Sequence, residues 1–187
     1  MSPPHRLSAI GYRLSAILFL LALVACAAPS DGSASNSAGG VGRSSPEAAV
    51  DGFLEDLNSA LRDPSLADAA AQQSWAERLA GYFAPDERLD QRVAFSDMLA
   101  GFVDTAQNPV VGSKATLEIT YSRLELLSRD GDEALVRVVD GSFALRWLDA
   151  QGDVVRERTG GLTEVIGQQS GGIPVLQVDG LWFLTER

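Results

Sequence analysis

The sequence predicts an α+β domain, with amphipathic N-terminal helices packed in the concave face of a strongly bent antiparallel sheet. Three observations predict it. Apolar side chains recur at helical spacing from Val50 to Val103, then alternate at strand spacing from Leu117 onward. In addition, three successive strands each slip phase part-way along. A phase slip of one residue marks a bulge, and bulges bend strands. Three bends in neighbouring strands curve the sheet as a whole.

The elements follow in order. Ser45-Pro46-Glu47 supplies an N-cap, a proline at the first helical position and an acid in the first turn. Val50, Phe53, Leu54, Leu57 and Leu61 then share one face of the first helix, which Asp63-Pro64 ends. Ala69, Trp75, Ala76, Leu79 and Phe83 lie in an alanine-rich stretch of high helix propensity. Pro85-Asp86-Glu87 starts a third helix, expected to turn Leu89, Val93, Leu99, Phe102 and Val103 inward and to end before Asn108-Pro109.

Leu117, Ile119 and Tyr121 alternate with Glu118 and Thr120, as in a half-buried strand, before the phase moves to Leu124 and Leu126. Arg129-Asp130-Gly131-Asp132 is a hairpin turn leading to a strand with Ala134, Val136 and Val138 inward. After Asp140-Gly141 the phase slips again, to Phe143, Leu145 and Trp147. Gln151-Gly152-Asp153 turns into a strand from Val154 to Ile166, interrupted by Gly160-Gly161. Ile173–Val178, the tight turn Asp179-Gly180 and Leu181–Thr185 close the chain.

Upstream of this domain, residues 1–25 have the parts of an export signal: a basic start with His5, Arg6 and Arg13, then an apolar run from Leu14 to Ala25. That run of 12 residues is too short for a stable membrane-spanning helix, which needs ~20. It ends Leu23-Val24-Ala25-Cys26, and this resembles the bacterial lipoprotein signal, whose lipobox places a cysteine after an aliphatic residue and two small or neutral ones. The resemblance implies that Cys26 carries a diacylglyceryl thioether and becomes the first residue of the mature chain. The membrane would then be a partner through the anchor at Cys26, and the protein would sit on the outer side of a bacterial membrane, in the cell envelope. On this reading residues 26–44 would be the lipidated cysteine and a Ser/Gly/Ala-rich flexible linker, and residues 45–187 are expected to be one domain.

Cys26 and His5 are the sole cysteine and histidine. Cleavage before Cys26 and acylation of its sulfur would leave no histidine and no titratable thiol. Cysteine nucleophiles, histidine-based triads, zinc sites and iron–sulfur clusters then lose their usual ligands or bases. No cofactor is expected. Loss of Arg6 and Arg13 would leave 13 bases against 25 acids, a net charge of −12. Nucleic acid is not an expected partner for so acidic a domain.

The domain resembles the nuclear-transport-factor-2-like superfamily, whose bent sheet and helices form a cone. The residues carrying the likeness are Ser45-Pro46-Glu47-Ala48-Ala49-Val50 with Phe53-Leu54, then Tyr82-Phe83, and the ending Val178-Asp179-Gly180-Leu181-Trp182-Phe183-Leu184. One departure is that no clear short strand lies between the helices, where many members have one. Members include isomerases, dehydratases, transport adaptors and exported domains, so the likeness implies a ligand pocket without choosing a reaction.

Tyr82, Tyr121, Asp140 and Trp147 are the pocket candidates. An isomerase-type site needs a carboxylate base and a polar donor in an apolar pocket. Tyr82, Tyr121 and Asp140 have the right chemistry, although the plainer role of an acid before Gly141 is to form a bulge. Trp75, Trp147 and Trp182 would line a cavity or fill the core, and core is the commoner fate of such side chains. Asp130-Gly131-Asp132-Glu133 lacks the alternating oxygen ligands of a calcium loop. Gly160-Gly161 and Gly171-Gly172 precede no helix that would help cradle a phosphate. The expectation is a non-catalytic, membrane-anchored domain that binds a small apolar ligand or an envelope protein. The alternatives are a cone-fold isomerase or lyase using Asp and Tyr, and a structural module that forms a homodimer through its sheet.

Overall fold

The structure is a computed structural model, and it describes residues 42–106, 114–162 and 172–187. The expected export signal, Cys26, Asn108-Pro109, and the expected end of the third strand at Ile166 lie outside the described residues. Among the described residues the architecture is α+β, with three helices followed by seven strands in two antiparallel sheets that do not close into a barrel.

Helix α1 runs from Pro46 to Arg62, and the Ser45 hydroxyl accepts the amide N–H of Ala48 at 3.2 Å as its N-cap. Its inward face is the expected one: Val50, Phe53, Leu54, Leu57 and Leu61 are all buried, joined by Ala49 and Ala60. Helix α2, Ala69–Ala80, buries Ala76, Leu79 and Ala80, while Trp75 is half-buried and Ala69 is exposed.

Helix α3, Arg88–Ala106, corrects the sequence reading. Leu99, Phe102 and Val103 are buried as expected, but Leu89 and Val93 are 63% and 54% exposed. The buried stripe instead contains Gln91, Phe95, Met98 and Leu99 with Phe102 and Val103. At about 100° per residue, Leu89 and Val93 project well away from that stripe. Apolar residues lie all round this helix, so periodicity alone does not select its inward face.

The strands are β1 (Lys114–Thr120), β2 (Arg123–Asp130), β3 (Glu133–Val139), β4 (Ser142–Leu148), β5 (Val154–Gly161), β6 (Ile173–Val178) and β7 (Leu181–Leu184). One sheet has the order β1-β4-β5 and the other β2-β3-β6-β7. Two of the phase slips read from the sequence lie where the chain passes between sheets. Tyr121-Ser122 separates β1 from β2, and Asp140-Gly141 separates β3 from β4. β1 pairs with β4 as far as Thr120↔Ser142, and β2 pairs with β3 from Arg123↔Val139. One crease therefore crosses both long strands. The ladder irregularities lie elsewhere, between Leu126 and Ser128 and between Trp147 and Leu148.

Gly141 sits on the crease because space is short there. A Cβ at this position would meet Leu162 Cβ at 3.0 Å and Val138 Cγ1 at 3.1 Å. Asp140 beside it has φ 53°, a left-handed conformation that Asp and Asn tolerate better than most residues.

Helix α1 packs on strands of both sheets, touching β1, β2, β3, β6 and β7. One hydrophobic core joins the helices to both sheets, with Trp182, Tyr82, Leu79 and Leu99 among its most completely buried side chains. Between α2 and α3 the structure has a single bridge, Phe83 to Leu184, in place of a short strand. A second bridge, Arg43 to Trp182, brings the incoming chain alongside β7.

Candidate functional site

A buried polar cluster lies where the incoming chain, α1 and the end of α2 meet. Asp56 occupies the buried face of α1 and is 7% exposed. The last turn of α2 brings Arg78 to it, donating from Nε to Oδ2 at 2.6 Å and from Nη2 to Oδ1 at 2.8 Å. The Tyr82 hydroxyl, just past α2, donates to Oδ2 at 2.7 Å and accepts from Arg43 Nη2 at 3.0 Å. Burial opposes the charge on Asp56, but the hydrogen bonds from Arg78 and Tyr82 and the charges of Arg78 and Arg43 outweigh it. Its carboxyl is held below the ordinary range. Burial and the Asp56 hydrogen bond push the Tyr82 hydroxyl up. An ionised acid with a bidentate arginine is a brace and a poor general base.

A second link joins α1 to the crease. The Tyr121 hydroxyl donates to Asp51 Oδ1 at 2.6 Å, and burial followed by that hydrogen bond raises its pKa strongly. Two helical turns further on, Asn58 exchanges two bonds with the backbone of Ile119 on β1, donating to its carbonyl at 2.8 Å and accepting its N–H at 2.7 Å. Asp140 belongs to neither group. It is exposed and accepts the Ser122 hydroxyl at 2.9 Å. Trp147 is buried on β4 at 3% exposure, and Arg156 of β5 lies over its ring, 4.9 Å from the centroid.

The four pocket candidates are thus not gathered into one site. Tyr82 and Tyr121 each hold a different aspartate of α1, Asp140 marks the crease, and Trp147 lies under β5. The sequence reading missed Asp56, Asp51, Arg43 and Arg78. Asp56 carried a legible signal, since it falls on the inward arc of α1 between Phe53 and Ala60. Its partners are brought from other elements by tertiary folding, and no local pattern points to them.

A surface cleft of ≈ 270 Å³ opens between the C-terminal end of α1, α3 and the start of β1. Leu61, Leu66, Phe102 and Val103 form its apolar wall, with Arg62 and Lys114 also lining it. Among the described residues no buried side-chain polar atom lacks a hydrogen-bond partner, and no group of three or more Asp, Glu, His or Cys stands ready to hold a metal ion. No described helix is long and apolar enough to cross a membrane. No protein-family model matches this chain, and no curated protein matches it.

Proposed function

We propose that the chain is an exported lipoprotein, anchored through Cys26 on the outer side of a bacterial membrane, whose cone-like domain of the nuclear-transport-factor-2-like type binds a protein of the cell envelope without catalysis. The anchor rests on the Leu23-Val24-Ala25-Cys26 sequence at the end of a short apolar run. The cone rests on the crease through both long strands and on the packing of α1 against both sheets.

The observation that carries the binding reading is that the acids which α1 turns toward the interior are committed. Asp56 is locked by Arg78 and Tyr82, and Asp51 accepts from Tyr121. Proton transfer in an apolar pocket calls for a carboxylate whose basicity is raised and whose lone pairs are open to substrate. Asp56 has the opposite electrostatics. A second reading, a small apolar ligand, is favoured by the cleft beside Phe102, although ≈ 270 Å³ falls just under the ~300–1,000 Å³ usual for ligand sites.

Fractionation of cells expressing the full chain or Cys26→Ser tests the anchor. The parent chain is expected in the membrane fraction with the added mass of acyl chains, and Cys26→Ser in the soluble fraction. Equal membrane retention of the two would overturn the anchor. Crosslinking of the parent chain in intact envelopes then tests the binding reading. A discrete heterologous protein adduct is expected, and its absence, or an adduct with a second copy alone, counts against it.

A further inference from the structure

We propose that β5 is the docking edge for the partner, taking an extended acidic segment by strand addition. This rests on the binding reading above and names its surface and chemistry. Among the described residues β5 has one neighbour, β4, so its other edge offers unpaired backbone donors and acceptors. Every residue from Val154 to Thr159 is exposed.

The charge on this edge is unusual for the molecule. With 25 acids against 15 bases, each arginine has a surplus of carboxylates to choose from. Seven arginines among the described residues form ion pairs. Of the five that form none among the described residues, Arg43, Arg88 and Arg129 donate to a tyrosine hydroxyl or a backbone carbonyl, whereas Arg156 and Arg158 of β5 have no hydrogen-bond acceptor there, and the acid between them, Glu157, is taken by Arg146 of β4 at 2.8 Å. Arg156 pairs in register with Trp147, and Arg158 with Leu145. The two guanidinium groups therefore stand on the same face of the sheet, two residues and about 7 Å apart, and the Trp147 ring orients the first of them. A strand added to β5 would place alternate side chains on that face. Acids two residues apart would meet the two arginines as opposite-charge cross-strand pairs.

Other occupants fit less well. A second copy paired antiparallel about Glu157 sets Arg156 against Arg158 of its mate, which is repulsive. An anionic membrane surface would meet Asp149 and Asp153 at the adjoining turn. Of the other sheet edges, β7 carries the bridges to Arg43 and Phe83, β2 has its Arg123 satisfied by Glu125, and β1 has one lysine and no arginine.

The test uses the full chain in detergent micelles and a labelled, capped peptide of alternating valine and glutamate, matched to the eight residues of β5. A peptide with lysine for glutamate is the control. Anisotropy is expected to report salt-sensitive binding of the glutamate peptide alone. Two lost cross-strand pairs should weaken it by about tenfold in the R156Q/R158Q double variant, with the circular dichroism and melting temperature of the parent retained. R123Q on β2 should bind as the parent does. No binding, equal binding of the lysine peptide, binding unchanged in R156Q/R158Q, or R156/R158-dependent binding to anionic vesicles in place of the peptide would each overturn the proposal. Envelope crosslinking of the same double variant separates the two claims. A partner adduct that persists undiminished removes the docking edge and leaves the binding reading standing, whereas a parent chain with no partner removes the binding reading itself.

Discussion

Asp56 is the residue on which the chain entry, α1 and α2 converge, and replacing it has a defined cost. Asp56→Ala leaves the buried Tyr82 hydroxyl without its acceptor and Arg78 without its bidentate partner. Arg78 can turn to water because its side chain is 58% exposed, so the loss is mainly that of a buried polar contact, about 2–3 kcal/mol by denaturant titration. The pH dependence has a fixed sign. The folded carboxyl titrates below its unfolded value, so its contribution is present above about pH 4 and fades as the pH falls through the folded pKa. Asp56→Ala should flatten the acid limb of the stability curve. The tyrosines give the complementary result at high pH. Residues 45–187 contain two, Tyr82 and Tyr121, and both are held protonated above their ordinary value of 10.0 by burial and then by hydrogen bonds to aspartates. Their contribution is present at and below pH 10 and is lost as the pH rises through the folded values. Spectrophotometric titration of the folded domain should show no phenolate step at pH 10.0, and the step should return to that value in denaturant. At this scale the sequence revealed the tyrosines as polar groups among apolar neighbours. Their partners come from residues 26 and 70 positions away, a separation that local patterns do not encode.

At the scale of the element, α3 separates composition from geometry. Phe95 is 5% exposed, with ring centroids of Phe53 and Phe83 at 5.8 and 5.7 Å. Phe95→Ala should cost about 3–5 kcal/mol. Leu89→Gln, on the exposed side, should change stability by less than about 0.5 kcal/mol. Thermal melts of the two variants decide between the observed face and the one that the apolar pattern suggested. Helix α1 was legible because its apolar residues keep to one arc behind a proper cap at Ser45-Pro46. The strands were legible for a related reason, since alternation persists on each side of Tyr121-Ser122 and Asp140-Gly141. What the pattern could not convey is the nature of those breaks. A bulge and a passage between sheets both shift the phase by one residue, and only the pairing of β1 with β4 and β2 with β3 distinguishes them.

For the whole molecule, the division of labour follows from where information lies in the chain. The proposed export signal is a local pattern, so Cys26 stands out in the sequence. The proposed docking surface is assembled from a sheet edge and from guanidinium groups that no carboxylate among the described residues neutralises, so Arg156 and Arg158 acquire meaning only in the folded domain. The central claim is that the domain recognises a protein and does not carry a small molecule. Native mass spectrometry of the chain, purified gently from its own host and released from its tether, tests this most directly. The account predicts the bare mass of the domain together with a heterologous protein complex that acid denaturation separates. A stoichiometric small-molecule mass on the domain, lost on denaturation and with no protein partner attached, would contradict it.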